Sequence, residues 1–479
     1  MLNILSSEKL SKFDFSNFAS QSVFVILALL LTILSSFLVY QNNSQLALVL
    51  CACLAISLLS KKLEFLFCFW LAFSPLLDYL IRYPEQQAFI NCARVFVMLL
   101  VLGVVARLVK QDQLKLNLGL IEISWLLFAA YALLDCFLHG SFSFSTLKTA
   151  VDGFLLPSIL YLIVRRSFLI KEIERKIFFA LIILAYFILP IGVYELITGI
   201  DLFAYPGGQL IYDGVIRPNG PFLSDNSYAL ISLLLALTLA YWPTVAKIFM
   251  TKKLAWLWRG AVVSAFLASL VPQFRAVMLM IVICLVLGRG LNLGWRSLIK
   301  PTMLAIVFII AAIPAWLIFS TTKFYESRIA DSANISSRIN TYKKALEIAR
   351  SNIILGVGLG NYENYFNQRW AIKEQPEKEK LGELAQSTPH SNFLSVLAEL
   401  GVIGFTLYLL AHLASFYTAW KVTRYSNKVA GIAVILLVIA YTGVGLTLTS
   451  GYYPDLNLFF FSSMGMLLKR GLEDFSTTS

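Results

Sequence analysis

Charged side chains are scarce in this sequence: Asp, Glu, Lys and Arg make up 14% of 479 residues, against 58% hydrophobic residues and a mean hydropathy of +0.76. A water-soluble globule of this length needs more polar surface than that, so a soluble enzyme or binding module is excluded. Acidic residues are fewer than basic ones, 27 against 39. They form no Asp-x-Asp pair and do not cluster with metal-ligand spacing, which removes a common means of holding a catalytic cation. The six cysteines, at 51, 53, 68, 92, 136 and 284, all fall in apolar runs and lack metal-site spacing. They read as small buried hydrophobes with no disulfide framework. Internal repeats, low-complexity segments and a second soluble domain are also absent.

What is present is a long series of apolar runs of roughly 17–22 residues, the length that crosses ~30 Å of hydrocarbon. They fall at about 21–40, 45–60, 63–81, 88–107, 119–138, 146–164, 177–199, 222–243, 255–271, 274–290, 301–320, 391–420, 429–449 and 454–468. The expected fold class is all-α: a polytopic integral membrane protein of about 12 to 14 transmembrane helices. Lys and Arg occupy every second connection: Lys61 and Lys62; Arg107, Lys110 and Lys115; Arg165 to Lys176; Lys247 to Arg259; Arg289 to Lys300; Lys421 to Lys428; Lys469 and Arg470. The alternate short connections nearly lack them. This is the positive-inside pattern, and it puts both termini in the cytoplasm. The net charge of +12 therefore orients the chain in its bilayer and does not point to nucleic acid. The first run, near Ser22, is long enough to span, lacks a small-residue cleavage site, and reads as an uncleaved signal anchor.

One outer connection breaks the economy of the rest. It divides the single membrane domain into N-terminal helices over 1–320, a long periplasmic loop over 321–390 and C-terminal helices over 391–479; loops this long in a compact architecture are usually functional. Within it, SSRINTYKKALEIARSN predicts an amphipathic helix on or near the membrane surface, capped by Ser336 or Ser337, with Ile339, Tyr342, Leu346 and Ala349 along one face. GVGLGN (356–361) then supplies glycines for a C-cap and a tight turn. PEKEKLGE (376–383) reads as a solvated charged loop.

Polar residues inside spans are costly, so their depth is informative. Asp78, Arg94, Asp135, Asp152, Glu195 and Glu399 all fall in the outer halves of their helices. A site open to the outer face would explain that shared depth; structural ion pairs, Arg94 with an aspartate first among them, would explain individual members. Three further basic residues reach the same outer interface: Arg217 in VIRPNGPFLSDN, Arg275 in SLVPQFRAVML and His390 in STPHSNFL. Each also has a plain reading, Arg217 as a solvated loop residue, Arg275 as a side chain snorkelling to headgroups, His390 as an interfacial cap. His412 lies 22 residues beyond His390, roughly 33 Å along a straight helix, and is expected at the cytoplasmic end, outside any shared site. His139 lies at the outer edge with no flanking pattern.

These stretches resemble the superfamily of O-antigen ligases and polysaccharide polymerases, bacterial membrane glycosyltransferases. His390-Ser391, nine residues, Gly401, two residues, Gly404 looks like that family's histidine motif. Arg275-Ala-Val-Met-Leu279 is similar to its arginine-x-x-x-leucine element, and RPNGPFLSDN to its arginine-containing outer loop. The resemblance covers about residues 210 to 410. It implies a polyprenyl (undecaprenyl) diphosphate-linked glycan as donor, and a glycan or lipid A core hydroxyl as acceptor. The chemistry would run at the periplasmic face, beside the bilayer that holds the carrier. His390 would be the catalytic base, with Arg275 and Arg217 as catalytic and diphosphate-binding residues and Arg338 as a weaker third. Guanidinium groups bind phosphate oxygens bidentately and keep their charge, so the expected transfer uses neither metal nor cofactor. Glu399 is expected to be structural. The competing class is a transporter for a lipid-linked sugar or an anion, which would more often show internal repeats and helices broken near the midplane.

Overall fold

A computed structural model describes residues 63–473 apart from 81, 84–89, 112–117, 140–143, 169, 205–210, 213–214, 294–332, 372–387, 450 and 452. The expected spans at 21–40, 45–60 and 301–320, the signal anchor, both termini and PEKEKLGE lie outside the described residues. Within them the chain is all-α but for two two-residue antiparallel ladders, β1 (Arg82–Tyr83) with β2 (Ile90–Asn91) and β3 (Ile211–Tyr212) with β4 (Val215–Ile216). Eight helices among the described residues are long and apolar enough to cross a membrane. The protein is a multi-pass membrane protein, and helices are the form in which a span pairs its own backbone groups.

In chain order the helices are α1 (Leu63–Leu80), α2 (Cys92–Gln111), α3 (Leu120–Leu138), α4 (Phe144–Ala150), α5 (Leu156–Ser167), α6 (Ile170–Thr198), α7 (Asp225–Val245), α8 (Lys252–Leu270) and α9 (Arg275–Leu293). They continue with α10 (Ala333–Ser351), α11 (Tyr362–Phe366), α12 (Asn392–Tyr425), α13 (Lys428–Gly445) and α14 (Pro454–Glu473). One π-helical turn, Val151–Leu155, joins α4 to α5. Helix starts follow from side-chain oxygens that satisfy free amides: Ser224, Thr251, Ser391 and Asn427 accept from the N–H groups of Ser227, Leu254, Leu394 and Ala430. The centre of the bundle is α7 and α13, 83% and 72% buried along their apolar windows, whereas α9, at 33%, lies on the flank. α13 packs against α12, α9, α7 and α14.

Two ends of the bundle are distinct. At one, Glu122 receives Arg165 Nη1 at 3.0 Å and Arg166 Nε at 2.9 Å, and Arg470 pairs with Glu174. Ser426 bonds Gly471 and Lys428 bonds the Asn292 carbonyl at this same end. The other end carries α10, the first residues of α7, α9 and α12, and the α13–α14 turn. Contacts fix that placement: Tyr453 bonds Asn226 and Ser224, and a side chain on Gly443 would strike Met280.

The acidic residues inside the spans turn out to be committed to partners within the fold. Arg94 and Asp152 form a two-pronged pair, Nε to Oδ1 and Nη2 to Oδ2 at 2.7 Å each. Asp78 accepts from the Ala93 amide at 3.2 Å, Asp135 from the Leu359 amide at 2.7 Å, Glu195 from the Gly220 amide at 2.7 Å and Glu399 from the Tyr362 amide at 3.4 Å. Their shared depth thus has a structural cause: each ties a helix end to the loop or helix beside it. Glu399 is structural, as expected.

Candidate functional site

The histidine segment is built on a broken helix. Gly401 takes φ 63°, ψ −167° inside α12, a conformation open essentially to glycine alone. The expected continuous span from 391 to 420 is therefore two pieces. Phe393 lies 6.4 Å from Phe405, 5.6 Å from Tyr408 and 5.9 Å from His412 between ring centroids. Such contacts require the short piece, 392–400, to double back along the start of the long one.

A break in hydrocarbon leaves backbone groups that must be satisfied, and the GVGLGN segment satisfies them. Val357 and Gly358 donate to the carbonyls of Ala398 and Glu399 at 3.0 and 2.8 Å, and Val402 donates to the Ile353 carbonyl at 2.8 Å. The Tyr131 hydroxyl donates to the Leu400 carbonyl at 3.2 Å. Gly356, at φ 78°, comes so close that an added Cβ would sit 2.3 Å from the Glu399 carbonyl. GVGLGN is thus more than a C-cap and turn: it is a strap laid into the break. His139, which the sequence left without a pattern, meets the Gly356 carbonyl through Nε2 at 3.2 Å.

The helix before the strap also differs from expectation. α10 starts at Ala333, ahead of Ser336 and Ser337, so neither serine is its cap, and its buried face is Ser337, Thr341, Ala345 and Ile348. Ile339 and Leu346 are exposed instead, next to the exposed Ile353, Ile354 and Leu355. Of the expected face, Ala349 is buried and Ile339 and Leu346 are exposed, because α10 packs on α12 through its small and hydroxyl side chains.

His390 stands two residues before α12, half-buried, with φ 48°. Its Nε2 is 3.1 Å from Thr388 Oγ1. Loss of water around the ring, and then the positive charge of Arg338, hold its pKa down to about 4, so the imidazole is neutral at pH 7. The structure brings His390 and Arg338 within electrostatic reach of each other. Arg217 follows β4 and lies 3.6 Å from Asp225 Oδ2. Arg275 opens α9 and is exposed. Both lie at the His390 end of the bundle, Arg217 in the loop before α7 and Arg275 at the start of α9.

The α13–α14 turn links these positions. The Asn392 amide donates to the Leu448 carbonyl at 3.1 Å, and the Tyr342 hydroxyl, one turn along α10 from Arg338, donates to the Leu446 carbonyl at 3.2 Å. Tyr453 bonds Ser224 and Asn226 beside Asp225, the partner of Arg217. Sequence reasoning passed over this turn as a short outer connection; its signal was the density of Thr447, Thr449, Tyr453, Asp455 and Asn457 between two apolar runs. His412 is corrected as well. The straight-helix distance does not apply, because the fold-back brings Phe393 onto it; His412 is 6% exposed, packed among Trp125, Tyr408 and Tyr441 at 5.0, 4.4 and 6.1 Å. Among the described residues no three His, Cys, Asp or Glu side chains stand where they could hold a metal ion.

Residues 260–409 match the family model described as O-antigen ligase. That segment is similar to the O-antigen ligase family, which supports the resemblance drawn from the motifs. The match takes in Arg275, Arg338, the strap, His390, Gly401 and Gly404, about a third of the chain, and stops short of Arg217. No curated protein matches the sequence. A glycan-transferring activity of the ligase or polymerase type, in a membrane, is what this similarity implies.

Proposed function

We propose that the protein transfers a glycan from a polyprenyl diphosphate carrier to an acceptor hydroxyl at the periplasmic face of the bacterial inner membrane, either ligating it to lipid A core or extending a repeat-unit polymer. The observation that carries this reading is His390, neutral and set beside Arg338 at the end of the bundle where Arg217 and Arg275 also lie. In the reaction the acceptor oxygen bonds to the anomeric carbon of the donor while the carbon–oxygen bond to phosphate breaks. The hydroxyl proton passes to His390, and polyprenyl diphosphate leaves with its negative charge held by Arg217 and Arg275. Arg338 gives the site an order of events. Before the donor binds, loss of water around the ring and, second to it, the charge of Arg338 lower the basicity of His390. A bound diphosphate offsets that charge, so the imidazole becomes the stronger base once the donor is present.

The break at Gly401 is the feature a transporter would share, but the backbone of residues 353–358 fills it, whereas a transport site would leave it lining a cavity. The deciding experiment gives purified protein a polyprenyl diphosphate-linked oligosaccharide and an acceptor glycan, without nucleotide and with EDTA. Release of polyprenyl diphosphate with joining of the glycans is expected. Movement of the donor across liposomes with no covalent product would overturn the enzyme reading; loss of activity in EDTA, restored by magnesium or manganese, would overturn the arginine-based mechanism.

A further inference from the structure

We infer that Asn392 and Tyr408 are positioning residues, which fix the orientation of the His390 ring from beneath; the inference rests on the reading of His390 as the base. A left-handed backbone is unusual for a non-glycine residue and persists only where its surroundings hold it. At His390, φ is 48°. Ser391 is spent on the helix cap, so the anchoring falls to the next residue.

Asn392 is 5% exposed and is held through both its backbone and its side chain. Its backbone N–H donates to the Leu448 carbonyl at 3.1 Å, and its Oδ1 accepts from the Gly451 N–H at 3.4 Å. With the oxygen turned to Gly451, the amide nitrogen is left to the Tyr408 hydroxyl, with which the side chain is hydrogen-bonded. Sideways movement is blocked too, since a Cβ on Gly445 would lie 2.9 Å from Nδ2. Tyr408 cannot yield either. It is 2% exposed, with its ring 5.9 Å from Trp125, 5.1 Å from Phe128, 5.6 Å from Phe393 and 4.4 Å from His412.

The geometry gives this bond its consequence. Tyr408 belongs to the long piece of α12 and Asn392 to the short piece that doubles back. The bond therefore crosses the break and stops the short piece from swinging about Gly401. Without it, the His390 end of the short piece would rest on the bonds of Asn392 to Leu448 and Gly451 and on the ring packing of Phe393, a looser hold on His390, two positions from Asn392. A base displaced by about 1 Å loses on the order of a hundredfold in rate, whereas donor binding by the arginines is made elsewhere.

The test compares Asn392→Ala, Tyr408→Phe and His390→Ala as full-length protein, each first checked for a single size-exclusion peak. Tyr408→Phe keeps the ring and so guards against an Asn392 variant that fails to fold. Two readouts are taken: kcat and KM with a polyprenyl diphosphate-linked oligosaccharide donor, and the side-chain NMR signals of 13C-labelled histidine. The chain has three histidines, so the signal missing from His390→Ala is that of His390. Both positioning variants should lower kcat by roughly ten- to a hundredfold with donor KM within about twofold, and both should move or broaden the His390 signal. A wild-type kcat with an unmoved His390 signal would overturn the positioning role and leave the base reading intact. An active His390→Ala would overturn the base reading instead. The NMR signal still decides the anchoring in that case, and an unmoved signal would overturn it.

Discussion

Replacing Gly401 by alanine tests whether the strap and the break form one device. The backbone there, φ 63° and ψ −167°, lies in a region that costs an alanine about 1–3 kcal/mol. The new Cβ would fall 2.2 Å from the Ile354 oxygen and 2.4 Å from its carbonyl carbon. Backbone cannot give way as a side-chain tip does, so residues 353–356 must retreat by about an ångström to reach ordinary contact. That movement breaks the bonds from Val402 to Ile353 and from Val357 to Ala398, each worth about 1 kcal/mol net and more where a buried group stays unpaired. The two effects together come to about 3–5 kcal/mol, all at the break. The loss is local, so hydrogen exchange is the assay. In Gly401→Ala the amides of Val357, Gly358 and Val402 should exchange a hundredfold faster or more, a factor of ten for each 1.4 kcal/mol, and glycan transfer should fall with them. Amides in α13 should be unchanged. Unaltered exchange at all three amides, or full activity alongside fast exchange, would refute the coupling of strap, break and histidine.

Arg94→Met leaves Asp152, 3% exposed, without its guanidinium and should destabilise the protein by about 3–5 kcal/mol. Arg94→Met with Asp152→Leu should recover most of that in an unfolding titration, and a double variant no better than the single would refute a structural pair. With His390 held down to about 4, kcat/KM, which reports the free enzyme, should be flat at neutral pH and fall only as pH drops through about 4 and the ring takes up a proton. The fall in kcat should come at higher pH, because bound diphosphate offsets Arg338; coincident limbs would contradict that role. Arg338→Gln should shift the limb of kcat/KM upward, since a cation that opposes protonation is gone. His412→Phe should stay active, as the residue packs among aromatic rings, while Arg275→Lys should fail for want of a bidentate fork.

Hydropathy alone determined that this chain lives in a bilayer, because 58% hydrophobic residues leave no other solvent, and it found the apolar helices among the described residues, with α6 starting at Ile170 against the expected 177, because crossing hydrocarbon fixes their approximate length. Short motifs marked His390, Arg275 and the strap, since they recur as compact strings within the matched segment. Periodicity marked α10 as an amphipathic helix with Ile339 and Leu346 on one face, but did not show that Ser337 and Thr341 are the side that the rest of the protein covers. Counting 1.5 Å per residue failed at His412, because a single glycine torsion reverses the chain and sequence distance stops measuring space. The partners of the buried carboxylates, the Asn392 bond to Tyr408 and the linking turn at 446–451 were decided by tertiary structure alone. Each joins groups from 15 to 224 residues apart, and such pairings depend on how helices dock. No local pattern encodes them.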